Sequence, residues 1–296
     1  MFKTIKYAAT GIVSAIALLA IWGLIEPKFL NTEEEIAEIP NLPASWEGQQ
    51  IGQLSDFQIG LWGDNSGTAR RSVEQMIAAN PAAVLISGDF IYHAKPEPQQ
   101  EIEKAVGIVA PLVEAGIPTY AALGNHDYGM SGKDAEPDVQ LADDLASALE
   151  AAGVVVLRNE STAMQIADSE EPLYLAVADS LWADRDDVSA ALADIPEGSP
   201  RVAMVHNPDS FELFPANTAP LAVSGHTHGG QIRVPNSPQW SWLRFTQKDN
   251  VYADGWARGY GEAGNNLYVN VGIGMSIVPI RIFCPPEKTL FTLKRI

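Results

Sequence analysis

Aspartate, glutamine, asparagine and histidine gather at five short points of the sequence. The stretch "LSDFQIG" carries Asp56 and Gln58, "SGDF" carries Asp89, and "LGNHDYG" carries Asn125, His126 and Asp127. "VHNPD" adds His206, and "SGHTHGG" adds His226 and His228, so that four of the five histidines fall in these clusters. Taken singly, each is ordinary: Gly-Asp and Gly-Asn are turn dipeptides, and Asn207-Pro208 reads as a helix cap with proline in the first turn. Taken together they form a donor set of carboxylates, imidazoles and amide oxygens. Such a set suits Zn, Fe, Mn or Ni, with the amides favouring harder ions. Seven donors are too many for one transition ion and suit two that share a carboxylate. A pair of ions ~3.5–4 Å apart activates a water and clamps a transferring phosphoryl group.

Each cluster follows an apolar run that predicts a strand. The runs are "IGQL" before Asp56, Ala83 to Ser87 before Asp89, "IPTYAAL" before Asn125, "RVAMVH" ending on His206 and "LAVS" before His226. Residues i and i+2 of a strand face one side, so Asp56 and Gln58 are expected to close the first strand facing one spot. "VVVL" from Val154 and "LYLAVA" from Leu173 read as further strands. Helical patterns lie between, over Thr68 to Ala79, Gln99 to Ala115, Val139 to Ala152 and Asp186 to Asp194. This alternation predicts an α/β fold, in which ligands bind beyond the carboxyl ends of the strands. The last third reads as strand-rich, over Gln231 to Val234, Leu267 to Val271, Ile280 to Phe283 and Thr289 to Leu293.

Bulk properties limit the partners. With 296 residues and 46% hydrophobic content, the chain suits one large domain or two at most. A formal charge of −18 argues against nucleic acid and anionic membrane faces, because like charges repel. An anionic substrate therefore needs a local positive centre, which bound metal supplies. The one cysteine, Cys284, excludes an internal disulfide and reads as a small buried side chain. Tyr7 to Ile25 carries no charge and has roughly the ~20 residues that cross a bilayer. Residues 1–27 are read as an uncleaved single-pass anchor, 28–49 as a Pro- and Glu-rich linker, and 50–296 as the catalytic domain. Lys3 and Lys6 favour an inside N-terminus, placing the domain outside the cytoplasm, on the periplasmic side in a Gram-negative cell. Lys28 works against that orientation.

The order Asp-x-Gln, Gly-Asp, Gly-Asn-His-Asp, His, Gly-His-Thr-His resembles that of the calcineurin-like metallophosphoesterases. More narrowly, "HNPDSFELFP", "SGHTHGGQIRVP" and "VPIRIFCPPEKTLFTL" resemble the membrane-anchored branch that includes enzymes of the UDP-2,3-diacylglucosamine pyrophosphatase type. The resemblance implies a four-layer α/β/β/α sandwich with the metal site at the C-terminal ends of the strands. It implies one divalent ion on Asp56, Gln58, Asp89 and His228 and a second on Asp89, Asn125, His206 and His226, with Asp89 bridging. A hydroxide between the ions is then the nucleophile, His126 the group that stabilises the phosphoryl or protonates the leaving oxygen, and Asp127 the carboxylate that orients that imidazole. Gln58 departs from the histidine that most relatives carry. As a weaker, harder donor it is expected to tilt the site toward Mn²⁺.

Around this set, Arg233 is close enough in sequence to the Gly-His-Thr-His turn to be expected on a substrate phosphate. His93 reads as a loop residue, and Asp179 and Asp184 as helix caps. The aromatic stretch with Trp240, Trp242, Phe245, Tyr252, Trp256 and Tyr260 is expected to pack over the core, to line an apolar groove or to rest on the bilayer. The leading expectation is a two-metal phosphohydrolase acting on a phosphodiester or pyrophosphate, with a lipid-linked nucleotide sugar such as UDP-diacylglucosamine as preferred substrate. A broad phosphodiesterase for envelope or nucleotide substrates and a non-catalytic binding protein on a degenerate frame stand as alternatives. Oligomeric state is not set by the sequence.

Overall fold

The computed structural model describes the chain apart from Met1 and residues 93–96, 167–168, 170, 236 and 244–251. His93 and Phe245 therefore lie outside the described residues. An N-terminal helix α1 (Phe2–Ile25) leads into β1 (Asn31–Ile39), β2 (Gln50–Leu54), α2 (Ser66–Ala79), β3 (Ala83–Ile86), α3 (Pro98–Glu114) and β4 (Thr119–Ala121). Then follow α4 (Val139–Ala151), β5 (Val155–Val156), β6 (Glu160–Met164), β7 (Leu173–Val177), α5 (Val188–Leu192), β8 (Arg201–Met204) and β9 (Ala222–Ser224). The chain closes with β10 (Arg233–Val234), β11 (Ser237–Ser241), β12 (Gly255–Trp256), β13 (Leu267–Val269) and β14 (Glu287–Arg295).

Two six-stranded sheets hold the mixed α/β fold. One runs β1-β14-β2-β3-β4-β5 and the other β12-β13-β9-β8-β7-β6, with β10 and β11 as a separate pair. Strands β2 to β5 are parallel, as are β7, β8, β9 and β13. Parallel strands are covered on both faces, and alternation along β3 shows how. Val84 and Ile86 join Val73, Met76, Ile108 and Leu145 from the helices. Ala83 and Leu85 join Val177, Val202, Met204 and Val223 of the other sheet. That second sheet turns Ala203, Val205 and Val269 toward Val188, Phe211 and Phe214.

Several local expectations change. Asn31–Ile39, read as linker, is an edge strand parallel to β14. Only Ala37 and Ile39 of it are buried, so its glutamates stay in water, where charged residues protect a sheet edge. Ile280 to Phe283 forms no strand; Ile282 makes a single bridge to Ile232. Asp187, rather than Asp179 or Asp184, caps α5 by accepting from Ala190 N at 2.9 Å. Asp179 instead accepts both contacts of the Tyr128 hydroxyl and the Nε of Arg158.

Helix α1 leaves Ile12, Val13, Ile16 and Leu18 exposed, while its last turn docks on the domain. Arg281 N donates to Gly23 O at 2.9 Å, and the buried Glu26 carboxylate accepts from Phe283 N and Cys284 N. Cys284 is fully buried, as its composition argument expects.

Candidate metal centre

The β2 ladder ends at Leu54, so Asp56 and Gln58 are not strand residues. They lie in a loop that runs beside the loop after β3: Asp56 N donates to Gly88 O, Gln58 N to Asp89 O and Ile59 N to Phe90 O. Strand alternation is therefore not what aligns them. Asp56, Gln58, Asp89, His226 and His228 all have φ between 50° and 71°. Non-glycine residues rarely adopt that region, and strain of this kind gathers at functional sites. Two glycines permit the crowding. A Cβ on Gly124 would strike Asp89 Oδ1, and one on Gly225 would strike Asp56 Oδ2 and Ser55 Oγ.

These loops bring the donors of six of the seven candidate ligands into direct contact with one another or with Asp89. His206 Nε2 is 3.3 Å from Asp89 Oδ2, and His226 Nδ1 is 3.3 Å from His206 Nε2. His228 Nε2 is 3.4 Å from Asp56 Oδ1 and 3.3 Å from Gln58 Nε2, which donates to Asp89 Oδ2 at 2.7 Å. Donor atoms of Asp89, His206 and His226 lie within 4.8 Å of one another, and so do those of Asp56, Asp89 and His228. Asp89 is common to both groups. Asn125, the seventh, follows β4, and its Nδ2 donates to Met130 O at 2.7 Å.

The donor set fits divalent metal. Gln58 Oε1 and Asn125 Oδ1 are buried and lack a hydrogen-bond partner among the described residues, a costly state for an amide oxygen that a cation relieves. His206 Nδ1 is 2.8 Å from the Ser87 carbonyl, so it carries a hydrogen and leaves Nε2, which faces Asp89, as the nitrogen that takes up a proton or a metal ion. Gln58 as placed turns its nitrogen to Asp89. A half-turn of the amide exchanges nitrogen and oxygen, and is favoured when a cation separates that oxygen from the carboxylate.

Burial and mutual charge set the protonation of each donor. Burial pushes the Asp56 carboxyl up to about 6 against the pull of His206. Burial also acts on Asp89, but His206 and His126 outweigh it and hold that carboxyl well below the usual range. The His206 imidazole, pulled down by burial, is carried up to about 9 by Asp89 and Asp56. Burial and the His206 charge pull His226 down to about 3, and burial with the Arg281 charge pulls His228 well down. His226 and His228 are thus neutral imidazoles, the form that ligates metal.

His126 stands beside the donors. Its backbone N donates to Asp89 Oδ1 at 2.9 Å, its Nδ1 is 3.0 Å from the Tyr92 carbonyl, and its ring stacks on Tyr92 at 4.7 Å. The carbonyl can only accept, so Nδ1 carries a hydrogen and Nε2 is where the ring gains or loses its proton.

One expectation is corrected. Asp127 does not orient His126. Its buried carboxylate accepts from the backbone N of Asp89, Phe90, Ile91 and Gly124, at 2.8 to 3.2 Å, and so ties the Asp89 loop to the Asn125 loop. Arg233, expected on a substrate phosphate, has protein partners. Its guanidinium pairs with Asp254 and donates from Nε to Phe283 O at 2.6 Å, in a cleft of about 590 Å³ beside Trp22 and Phe29. The aromatic stretch divides: Tyr252 and Tyr260 pack on the core, Trp256 meets Tyr268, and Trp240 and Trp242 are exposed.

Sequence reading missed Arg281 and Tyr92. Arg281 is buried and donates to the carbonyls of Val271, Gly272, Gly274 and Cys284, holding the segment that packs against Asp56 and Gln58. The one signal was a cation in the apolar run "VPIRIFC".

Comparison with known proteins agrees with this geometry. The sequence model of the calcineurin-like phosphoesterases matches residues 50–230. The chain is 27% identical over 272 residues to the uncharacterized metallophosphoesterase YkuE of Bacillus subtilis, covering 91% of this chain and 87% of that protein. It is 31% identical over 219 residues to the phosphodiesterase YaeI of Escherichia coli, covering 73% and 72%. It is 25% identical over 333 residues to the UDP-2,3-diacylglucosamine pyrophosphatase LpxG of Chlamydia trachomatis, covering 97% of both.

Proposed function

Since the chain belongs to the calcineurin-like phosphoesterase family, and is by that membership a metal-dependent phosphoesterase, we propose that it uses two divalent ions to hydrolyse a phosphodiester or pyrophosphate bond. The observation that carries this reading is that Asp89 belongs to both groups of ligating atoms. One ion would be held by Asp56, Gln58, Asp89 and His228, the other by Asp89, Asn125, His206 and His226. Bound there, the ions supply Lewis acidity toward the phosphoryl oxygens and lower the pKa of a water. Mn²⁺ suits the three carboxylate and amide oxygens of the first group best.

The side chains do the rest. Asp127 holds the Asp89 and Asn125 loops at fixed spacing through four backbone N–H groups. His126 presents Nε2 as the atom that delivers a proton to the leaving oxygen, because the Tyr92 carbonyl keeps the hydrogen on Nδ1. The clustering of sheet and helix residues described above supports a four-layer α/β/β/α arrangement that carries these loops on one edge.

The preferred substrate is lipid-linked, of the UDP-diacylglucosamine type. Two things support this: the similarity to LpxG and helix α1, whose 24 residues span about 36 Å at 1.5 Å per residue, against a hydrocarbon core of about 30 Å. The helix is apolar and largely exposed, and its last turn is built into the domain through Gly23 and Glu26, which supports an uncleaved anchor. Lys3 and Lys6 support an extracytoplasmic domain. The similarity to YaeI favours a broader phosphodiesterase as the second reading.

The test is hydrolysis of bis(p-nitrophenyl) phosphate by the full chain in detergent, after chelation and then after Mn²⁺ is restored. Activity that disappears and returns supports the proposal. Activity indifferent to chelation contradicts it.

A further inference from the structure

Building on the membrane-anchored reading above, we propose that an apolar ridge formed by Trp22, Phe29, Trp62, Ile277, Val278 and Phe283 seats the domain on the bilayer surface. The seat holds the His126 side of the metal centre at the level of the lipid headgroups.

Contacts link the members of the ridge. Trp22 and Phe29 stack at 5.8 Å where α1 ends, and both line the cleft with Phe283. From Phe283 the chain runs back through Ile282 and Ile280, which lie against Gly23 of α1. Pro279 packs on Gly63, and the Trp62 indole donates to Ile277 O at 3.3 Å. The same segment therefore touches the end of the membrane helix and the loop that carries Trp62. If α1 lies in a bilayer, residues 277–283 lie at its surface.

The side chains there are the wrong kind for water. Trp62 is 74% exposed and Ile277 64% exposed. Isolated apolar residues on a surface are normal, but a contiguous apolar patch marks an interaction site, and tryptophan in particular collects at membrane interfaces. Ile277 also has φ 63°, an outlier for a β-branched residue. The fold holds it there, pointing its side chain outward, with three contacts. Ile277 N donates to the Tyr92 hydroxyl at 3.1 Å, Ser276 N donates to Gln231 Oε1 at 2.7 Å, and Gln231 Nε2 donates to Val278 O at 2.9 Å.

Those contacts also tie the ridge to the chemistry. Tyr92 is the residue stacked on His126, and Gln231 follows His228 by three positions. The occupant is a bilayer rather than a second protein because a membrane helix ends on the ridge itself. The charge of −18 selects an uncharged or zwitterionic surface over an anionic one.

The one native cysteine, Cys284, is buried, so the test places new cysteines and uses the wild-type chain as the labelling blank. The full chain carrying Trp62→Cys or Ile277→Cys is labelled with a bimane fluorophore and reconstituted into phosphatidylcholine vesicles. The vesicles contain lipid bearing a headgroup nitroxide. Glu114→Cys, at the far end of α3 from the Asp64–Lys104 contact, is the control. The proposal expects co-flotation with the vesicles, strong quenching at 62 and 277, and little at 114. Co-flotation with no excess quenching at 62 and 277 overturns the seat and leaves the anchor standing. Disulfide formation on mild oxidation between two unlabelled Ile277→Cys chains, with no quenching of the labelled protein, overturns it too, and identifies a second copy as the occupant. Failure to co-float overturns the anchored reading, and the seat falls with it.

Discussion

Gln58 and Asp89 meet amide to carboxylate at 2.7 Å, both buried and both in the left-handed region of backbone space, with φ 51° and 57°. Loops 55–59 and 87–91 run side by side and fix this approach through paired backbone hydrogen bonds. In the proposed centre Gln58 and Asp89 would hold one ion together. Gln58→His replaces a hard oxygen donor with imidazole nitrogen, so it is expected to raise Zn²⁺ affinity relative to Mn²⁺. Competitive titration of the two ions measures the ratio, and an unchanged ratio removes Gln58 from the ligand set.

His126 is expected to matter in proportion to how poor the leaving group is. His126→Ala should lower kcat by ~10²–10⁴-fold for an alkyl phosphodiester, and much less for bis(p-nitrophenyl) phosphate, whose phenolate leaves without a proton. Metal content should not change. Equal losses on both substrates would show that His126 stabilises the phosphoryl group instead of donating a proton.

Asp127 is expected to report on folding before chemistry. Asp127→Ala removes the acceptor of four buried N–H groups. Leaving a buried donor unpaired costs about 1–3 kcal/mol, so urea unfolding should show a loss of about 3 kcal/mol or more. Unchanged stability with lost activity would return Asp127 to a role on the His126 ring.

Glu287 predicts a pH dependence away from the metal centre. Burial pushes its carboxyl up to about 8, although Tyr268, Asn270 and Thr289 all donate to it. The folded chain then keeps a proton that the unfolded chain, near the ordinary glutamate value of 4.5, has released. Stability therefore falls as pH rises from about 4.5 to about 8 and levels above it. Glu287→Gln, which stays neutral, should flatten that decline in urea midpoints compared at pH 5 and pH 9. An identical decline in the variant would assign it to other groups.

The metal centre was legible in the sequence because its chemistry is written in residue type. Asp56, Asp89, His206, His226 and His228 stand where apolar runs stop, and few other roles need that mixture there. What was illegible depends on the backbone of distant segments. Asp127 acts on four N–H groups, three of them some 36 to 38 residues away, and nothing in its own neighbourhood signals this. Arg281 likewise answers to carbonyls. Strand β1 was hidden by its glutamates, since an edge strand with few buried positions has the composition of a linker. The partners of Arg233 were hidden too, because Asp254 and Phe283 lie 21 and 50 residues away.

In the proposed centre Asp89 would serve two ions at once, and the direct measurement is Mn²⁺ binding to the metal-stripped chain, followed by electron paramagnetic resonance. Two ions per chain with a spin-coupled signal are expected in the wild type. Asp89→Asn should lose the coupling and weaken both sites together. A single uncoupled ion, or an Asp89→Asn variant that binds two ions as tightly as the wild type, would contradict the shared-carboxylate centre.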